Sequence, residues 1–142
     1  SYFFTIVSEK NIDGAAFFVL SDTFENKYLL KKRYYSHYGL KKNQNIRCTV
    51  SKYSSEGQII LEPENPVYKT GEVYRFPFVR FEKAETQDNR QQYLKIVKDK
   101  FGRENRVFPY LSIKTAIKKD ELIACKVVRI KKSRLFLHDI ET

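Results

Sequence analysis

The residues best suited to binding a ligand lie in one basic and aromatic stretch, KYLLKKRYYSHY, from Lys27 to Tyr38. Cationic side chains contact phosphates, and exposed aromatic rings stack on unpaired nucleobases, each for about 1–3 kcal/mol. An edge strand protected by lysines, with half-buried tyrosines, would show the same composition, so both interpretations stay open. The candidate binding residues of the stretch are Tyr28, Lys31, Lys32, Arg33, Tyr34 and Tyr35.

A second set of candidates lies in the C-terminal half of the chain. The stretch RIKKSR, from Arg129 to Arg134, predicts a cationic turn between two strands, which a solvated turn explains equally well. Further cations and two aromatic residues precede it and extend the positive surface. The candidates of this half are Lys95, Lys98, Arg103, Arg106, Phe108, Tyr110, Lys131, Lys132 and Arg134.

Phe18 is a further candidate because of its position in a strand pattern. Neighbouring residues of a strand face opposite sides of the sheet. If Phe17 and Leu94 face the interior, Phe18 and Lys95 project outward, and Phe18 can stack on a base. A neighbouring part of the chain that covers Phe18 is the alternative.

Residues for catalysis or metal binding are sparse. The five glycines lie too far apart to form a phosphate-cradling loop. His37 and His138 are the two histidines, and neither has a cysteine or paired carboxylates beside it. We therefore expect no enzyme active site in this chain, no metal site and no cofactor.

The two cysteines predict buried, reduced thiols. Cys48 and Cys125 each lie in an alternating apolar pattern, IRCTV and IACKV, and neither belongs to a CxxC or CxxxxH spacing. A small buried hydrophobe is expected at such positions. Reduced thiols are typical of an intracellular, here cytoplasmic, protein.

The charge of the chain favours a polyanionic partner. The formal net charge is +10, and the excess is uneven: 10 − 7 = +3 for residues 1–70 and 17 − 10 = +7 for residues 71–142. Nucleic acid is the commonest polyanion that such domains bind, with anionic lipid or an acidic protein as the other possibilities. No run approaches the roughly 20 apolar residues of a membrane span, so we expect no membrane partner.

The elements that must position these residues occur twice. An offset of 125 − 48 = 77 aligns the two cysteines, and hydrophobic alternation around each predicts a strand. The same offset pairs Ile46 with Ile123, Val50 with Val127, Asp22 with Asp99, and Phe24 with Phe101. Because Pro63 and Pro66 cannot donate to a strand ladder, the segment PENPVYKTGE separates the two copies.

Each copy predicts five strands. In the first copy they cover residues 2–8, 15–21, 27–35, 45–53 and 58–62, with a short connector at 36–44. In the second copy they cover residues 73–81, 91–98, 106–111, 121–130 and 134–138. Ser112 as an N-cap and apolar residues at helical spacing predict a helix within residues 112–121.

Five strands with a helix or connector between the third and fourth is the order of elements in an OB-fold. The end of each copy resembles the ribosomal S-one-type RNA-binding domain, a subclass of OB-folds. The residues that carry the resemblance are Leu40, Ile46, Val50, Lys52, Tyr53, Gly57, Ile59 and Leu61 in the first copy, and Ile117, Ile123, Val127, Arg129, Ile130, Leu135 and Leu137 in the second.

The sequence thus predicts an all-β chain of two tandem five-stranded OB-like barrels, residues 1–70 and 71–142. The expected function is non-catalytic binding of single-stranded nucleic acid, RNA ahead of DNA, within a larger intracellular protein. A protein-interaction or scaffolding module is the alternative, because OB-folds host both roles. Other domains of a longer parent chain are possible partners.

Overall fold

The computed structural model describes residues 2–51, 59–85 and 90–140. The chain divides into two compact units, Ser1–Pro66 and Val67–Thr142. The division falls before residue 70 because Val67 and Tyr68 pack on the hydrophobic cluster of the second unit. Strands dominate both units, so the all-β prediction is confirmed.

The first unit is a five-stranded antiparallel sheet. Its elements are β1 (Tyr2–Ile12), β2 (Ala15–Ser21), β3 (Lys27–Lys31), a helical turn α1 (Lys32–Tyr35) continued by a 3-10 turn (Ser36–Tyr38), β4 (Asn45–Ser51) and β5 (Ile60–Pro63). The strand order is β3-β2-β1-β4-β5, and the described strands leave this sheet open between β3 and β5.

The third strand ends earlier than predicted. Residues 32–35 form α1 instead of continuing β3. Tyr35 and Tyr38 are buried three residues apart, a spacing that places both on one face of a helical turn against the core. Burial of these two rings therefore overrides the β propensity of the tyrosines. The predicted ends of the fourth and fifth strands, at 53 and 58, lie outside the described residues, as do Lys52, Tyr53 and Gly57.

The second unit is a closed five-stranded barrel. Its strands are β6 (Val73–Glu85), β7 (Gln91–Lys98), β8 (Glu104–Leu111), β9 (Leu122–Lys131) and β10 (Arg134–Asp139), in the order β10-β8-β7-β6-β9. The long β6 pairs with β9 through its first half and with β7 through its second half. A parallel pairing of β8 with β10, with Leu137 opposite Val107, completes the closure with the antiparallel β9–β10 pair.

The two sheets share one neighbour order, and they differ in closure. The pairing that joins β8 to β10 in the second unit has no counterpart between the described β3 and β5. One of the two predicted barrels is therefore observed, and the described part of the other unit is an open sheet.

The helix predicted within residues 112–121 is wrong. These residues form bends and a turn between β8 and β9. A helix of this length is marginal in water unless an apolar face packs. Ile113 and Ala116 are exposed, and Ile117 packs half-buried on the hydrophobic cluster, so the segment has one apolar contact and no continuous apolar face.

Phe18 and Lys95 face inward, and their predicted outward orientation is wrong. Residues opposite each other in a ladder share a face of the sheet. Phe18 lies opposite Leu30, and Lys95 lies opposite Val107, both of which belong to the hydrophobic cores. The prediction took Leu94 as the inward residue because it is apolar. Leu94 is buried, but it lies opposite Glu82, on the outer face of the sheet.

Cys48 and Cys125 are buried free thiols in the two cores, as predicted. Burial, with a smaller effect of the Glu62 carboxylate, raises the pKa of the Cys48 thiol to about 12. The reactive thiolate is therefore disfavoured at neutral pH.

Candidate nucleic-acid interface

A groove of about 300 Å³ on the outer wall of the barrel combines arginines with aromatic rings. Arg106 faces outward because it alternates with Val107, which is buried in the core. Phe108 lies on the same outer face, opposite His138 of β10. Arg134 and Phe136 line the other side of the groove.

The aromatic rings of this wall are held by neighbouring side chains. The guanidinium of Arg129 lies 4.7 Å from the centre of the Phe136 ring. Phe108 and Tyr110 pack edge to face at 5.5 Å, and Tyr110 is exposed. Fixed and partly exposed rings of this kind offer a surface for stacking at little cost in side-chain entropy.

Two carboxylates also line the groove. Glu82 Oε1 lies 2.9 Å from Arg106 Nη2, and Glu104 Oε2 lies 2.7 Å from Arg80 Nη1. The hydrogen bond from Arg80 holds the pKa of the Glu104 carboxyl below its usual range. Both arginines are thus partly neutralised, whereas Arg134 has no acidic partner within the described part of the chain.

The predicted cations of the second unit gather beside this groove. Lys132 and Ser133 both have left-handed backbones, which makes the β9–β10 turn tight and projects Lys131 and Lys132 into solvent. Arg103 Nη1 donates to Ser133 Oγ at 3.4 Å, which brings the β7–β8 turn next to the β9–β10 turn. Lys98 is also exposed, at the end of β7.

Lys95 does not belong to this surface. Its ammonium pairs with the carboxylate of Asp139, and both side chains are nearly buried. Asp139 lies opposite Cys125, a residue of the barrel core. The pair is therefore part of the barrel interior, where it satisfies two charges that would otherwise be costly to bury.

In the first unit the structure separates the predicted cations from most of the predicted aromatic residues. Lys31 and Arg33 are exposed, and the Arg33 guanidinium lies 4.8 Å from the centre of the half-buried Tyr34 ring. Lys32 forms an ion pair with Glu9, with Nζ and Oε1 separated by 2.9 Å. Lys31, Lys32 and Arg33 form a small basic surface where β3 ends and α1 begins.

Tyr28, Tyr35 and Phe18 are structural instead. The Tyr35 hydroxyl donates to Glu62 Oε1 at 2.8 Å, and burial together with that carboxylate raises the pKa of Tyr35. The Tyr28 hydroxyl donates to Asp22 Oδ2 at 3.0 Å, and the ring packs on the core. Phe18 and Tyr35 are buried, so neither ring offers a free face for stacking, and Tyr28 is half-buried.

Sequence reasoning missed Phe136 as a member of the groove, and it missed Arg129 as the cation that packs on the Phe136 ring. Their signal was present as alternation, since Phe136 lies between Leu135 and Leu137, both of which are buried. Arg129 lies directly opposite Phe136 in the β9–β10 ladder. An outward aromatic residue opposite an outward cation is visible only when the two strands are paired.

Comparison with known protein families, curated proteins and solved structures yields no match to this chain. In the described ranges, no group of three His, Cys, Asp or Glu side chains is arranged to hold a metal ion. The helices of these same ranges are too short to cross a membrane.

Proposed function

We propose that this chain is a non-catalytic module that binds single-stranded nucleic acid within a larger intracellular protein. The observation that carries the proposal is the outer groove of the barrel, where Arg106, Arg134, Phe108 and Phe136 converge beside two cationic turns. Cations that track a phosphate backbone, next to rings that stack on bases, are the recurring design of single-strand binding.

We also propose that both units are OB-like domains in tandem. The barrel order β10-β8-β7-β6-β9 and the connector between its third and fourth strands support this assignment. Corresponding ladder pairs support it further, since Tyr2 lies opposite Cys48 and Tyr74 lies opposite Cys125. The groove borders β7 and β8, the second and third strands of the unit, which form the ligand face of OB-folds.

RNA is the first ligand to test, because the resemblance is to an RNA-binding domain. Titration of fluorescein-labelled single-stranded RNA and DNA oligonucleotides with the full chain, followed by anisotropy, measures the affinity directly. We expect saturable binding at low salt that weakens as salt is added. Absence of binding at low salt, or affinity indifferent to salt, would contradict the proposal.

A protein-interaction module is the second candidate. The observation that favours it is an apolar groove in the first unit, whose described lining contains no Lys or Arg to contact phosphates.

A further inference from the structure

The first unit carries an open apolar groove of about 550 Å³ at one end of its sheet. Tyr2 and Val50 line it from the inner face, because they lie opposite Cys48 and Leu61, two residues of the core. Tyr2 is nevertheless 64% exposed and Val50 is 44% exposed. At this end, apolar side chains of the inner face are therefore in contact with solvent.

The corresponding place in the second unit is covered. The ladders define the correspondence, since Tyr74 lies opposite Cys125 and Val127 lies opposite Leu137. Val127 is 0% exposed, whereas its counterpart Val50 is 44% exposed. The difference therefore comes from what lies over the two sheets and is unrelated to the residue type.

A matched turn shows the same contrast. The N–H of Phe24 donates to Asp22 Oδ1 at 2.9 Å, and the N–H of Phe101 donates to Asp99 Oδ1 at 2.9 Å. The turns thus hold two phenylalanines in equivalent positions. Phe101 packs on the hydrophobic cluster of its unit, and Phe24 is 83% exposed.

The cover of the second unit is the segment that begins with Val67 and Tyr68. The Tyr68 ring lies 4.9 Å from the Tyr74 ring and 5.4 Å from the Phe76 ring, measured between centroids, and Tyr68 is 4% exposed. Its hydroxyl accepts from the N–H of Lys100 at 2.9 Å, within the Asp99 turn.

The backbone that follows Tyr68 completes this cover. The N–H of Gly71 donates to the carbonyl of Val127 at 2.7 Å, and the N–H of Val127 donates to the carbonyl of Glu72 at 2.9 Å. The segment therefore adds main-chain hydrogen bonds to β9, just before the start of the β6–β9 ladder, to the burial of one aliphatic and one aromatic side chain.

We propose that the groove of the first unit is a docking site for an extended polypeptide segment with an aliphatic residue followed by tyrosine. Tyr2 and Phe4 provide the aromatic walls that Tyr74 and Phe76 provide in the second unit. Thr23 has the place of Lys100 in the turn, so its N–H is positioned to donate to the incoming tyrosine hydroxyl.

The charge of the groove favours a peptide over a nucleic acid strand. Its described lining contains the carboxylate of Asp22 and no Lys or Arg. Phe24, Asn26 and Tyr28 already donate to the two oxygens of that carboxylate. The anion would repel phosphates, and its lone pairs are already occupied, so it is poorly placed to read a base.

The test uses the ¹⁵N-labelled full chain and a synthetic peptide with the sequence of residues 64–72, ENPVYKTGE. We expect saturable amide shifts at Thr23, Phe24 and Val50. The peptide that carries Tyr68→Ala should bind at least about tenfold more weakly, because it lacks the ring that fills the groove. Phe24→Ser should weaken binding as well, while Ile113→Ser, at another well-exposed apolar site in the second unit, should not.

Three results would overturn the proposal. The first is the absence of shifts, or equal binding of both peptides. The second is a concentration-dependent dimer in sedimentation that Phe24→Ser abolishes, which would assign the groove to a second copy of the chain. The third is displacement of the peptide by a single-stranded oligonucleotide whose binding Phe24→Ser weakens, which would make the groove a base pocket. Oligonucleotide binding that does not shift the amides of Thr23, Phe24 and Val50 tests the groove of the barrel and not the groove of the first unit.

Discussion

At the residue scale, two arginines of the barrel groove differ in their surroundings. Arg106 shares its charge with Glu82 at 2.9 Å, whereas Arg134 has no acidic neighbour in the described ranges. Exposed ion pairs contribute about 0–1 kcal/mol, but they still compete with a phosphate for the same donor. Arg134 is therefore the cation of the groove that is most available to a ligand.

Reversal of this charge should weaken nucleic-acid binding. We expect Arg134→Glu to lower the affinity for a single-stranded oligonucleotide about tenfold at low salt, because one charge-assisted contact becomes a repulsion. Fluorescence anisotropy measures the loss. Lys41→Glu, an exposed cation of the first unit, makes the same change of charge and serves as the control. Equal losses in both variants would place binding outside the groove.

Phe18 should affect stability and leave binding to the barrel unchanged. The ring is buried in the core of the first unit, so Phe18→Ala leaves a cavity and should cost about 3–5 kcal/mol of unfolding free energy. Urea unfolding followed by circular dichroism measures this cost. Loss of oligonucleotide affinity with unchanged stability would show instead that the ring contacts the ligand.

At the element scale, one kind of turn joins the second and third strands of each unit. Asp22 and Asp99 accept two backbone N–H groups each through Oδ1, at 2.9–3.0 Å. The fourth position of the turn is left-handed, with φ of 79° at Gly102 and 65° at Glu25. Gly102 adopts this conformation freely and Glu25 adopts it with strain, and in both turns the aspartate fixes the backbone through its own hydrogen bonds.

This turn predicts an acid-sensitive contribution to stability. Although burial raises the pKa of the Asp22 carboxyl, hydrogen bonds from Asn26, Tyr28 and Phe24 bring it below the ordinary value of 3.8. The stabilisation is therefore present above pH 3.8 and is lost as the pH falls through the lower pKa of the folded state. We expect urea midpoints between pH 6 and pH 2 to fall less steeply for Asp22→Asn than for the native chain. Identical profiles would contradict this role.

At the scale of the whole molecule, positive charge and closure coincide in the second unit. Residues 71–142 carry a net charge of +7, out of +10 for the whole chain. The closed barrel of this unit presents four cations around two adjacent turns: Arg103, Lys131, Lys132 and Arg134. Because the barrel fixes the strands that bear these turns, the positive surface has a defined shape.

The salt dependence of binding should report on these four cations. Four phosphate contacts with a single strand give a slope of log K against log salt of about −3, a loss of about fifty-fold between about 50 and about 200 mM salt. Anisotropy titrations at several salt concentrations measure the slope, and Arg134→Glu should make it less steep by about one contact. An unchanged slope in that variant would remove Arg134 from the phosphate-contacting set.

Much of the strand pattern could be predicted from the sequence, because period-two alternation is a local property. The bounds of β2 and β7 are as predicted, and Cys48 and Cys125 lie in the cores. Residues 112–121 show where local pattern fails, since Ile113 and Ala116 are exposed and Ile117 is the one apolar residue of this spacing that packs on the core. The groove residue Phe136 was missed because its partner Arg129 lies across a hairpin.

The sequence alone determined most of the strands, the two buried thiols, the correspondence of Asp22 with Asp99 and the excess of positive charge in the second half. Only the tertiary structure decided which face of β2 and β7 is inside, and so placed Phe18 and Lys95 in the cores. It also decided that β8 and β10 pair while the described β3 and β5 do not. The tertiary structure further decided that the Tyr68 ring packs on the hydrophobic cluster of the second unit. Alternation gives two faces to every strand, but long-range packing alone decides which face is buried.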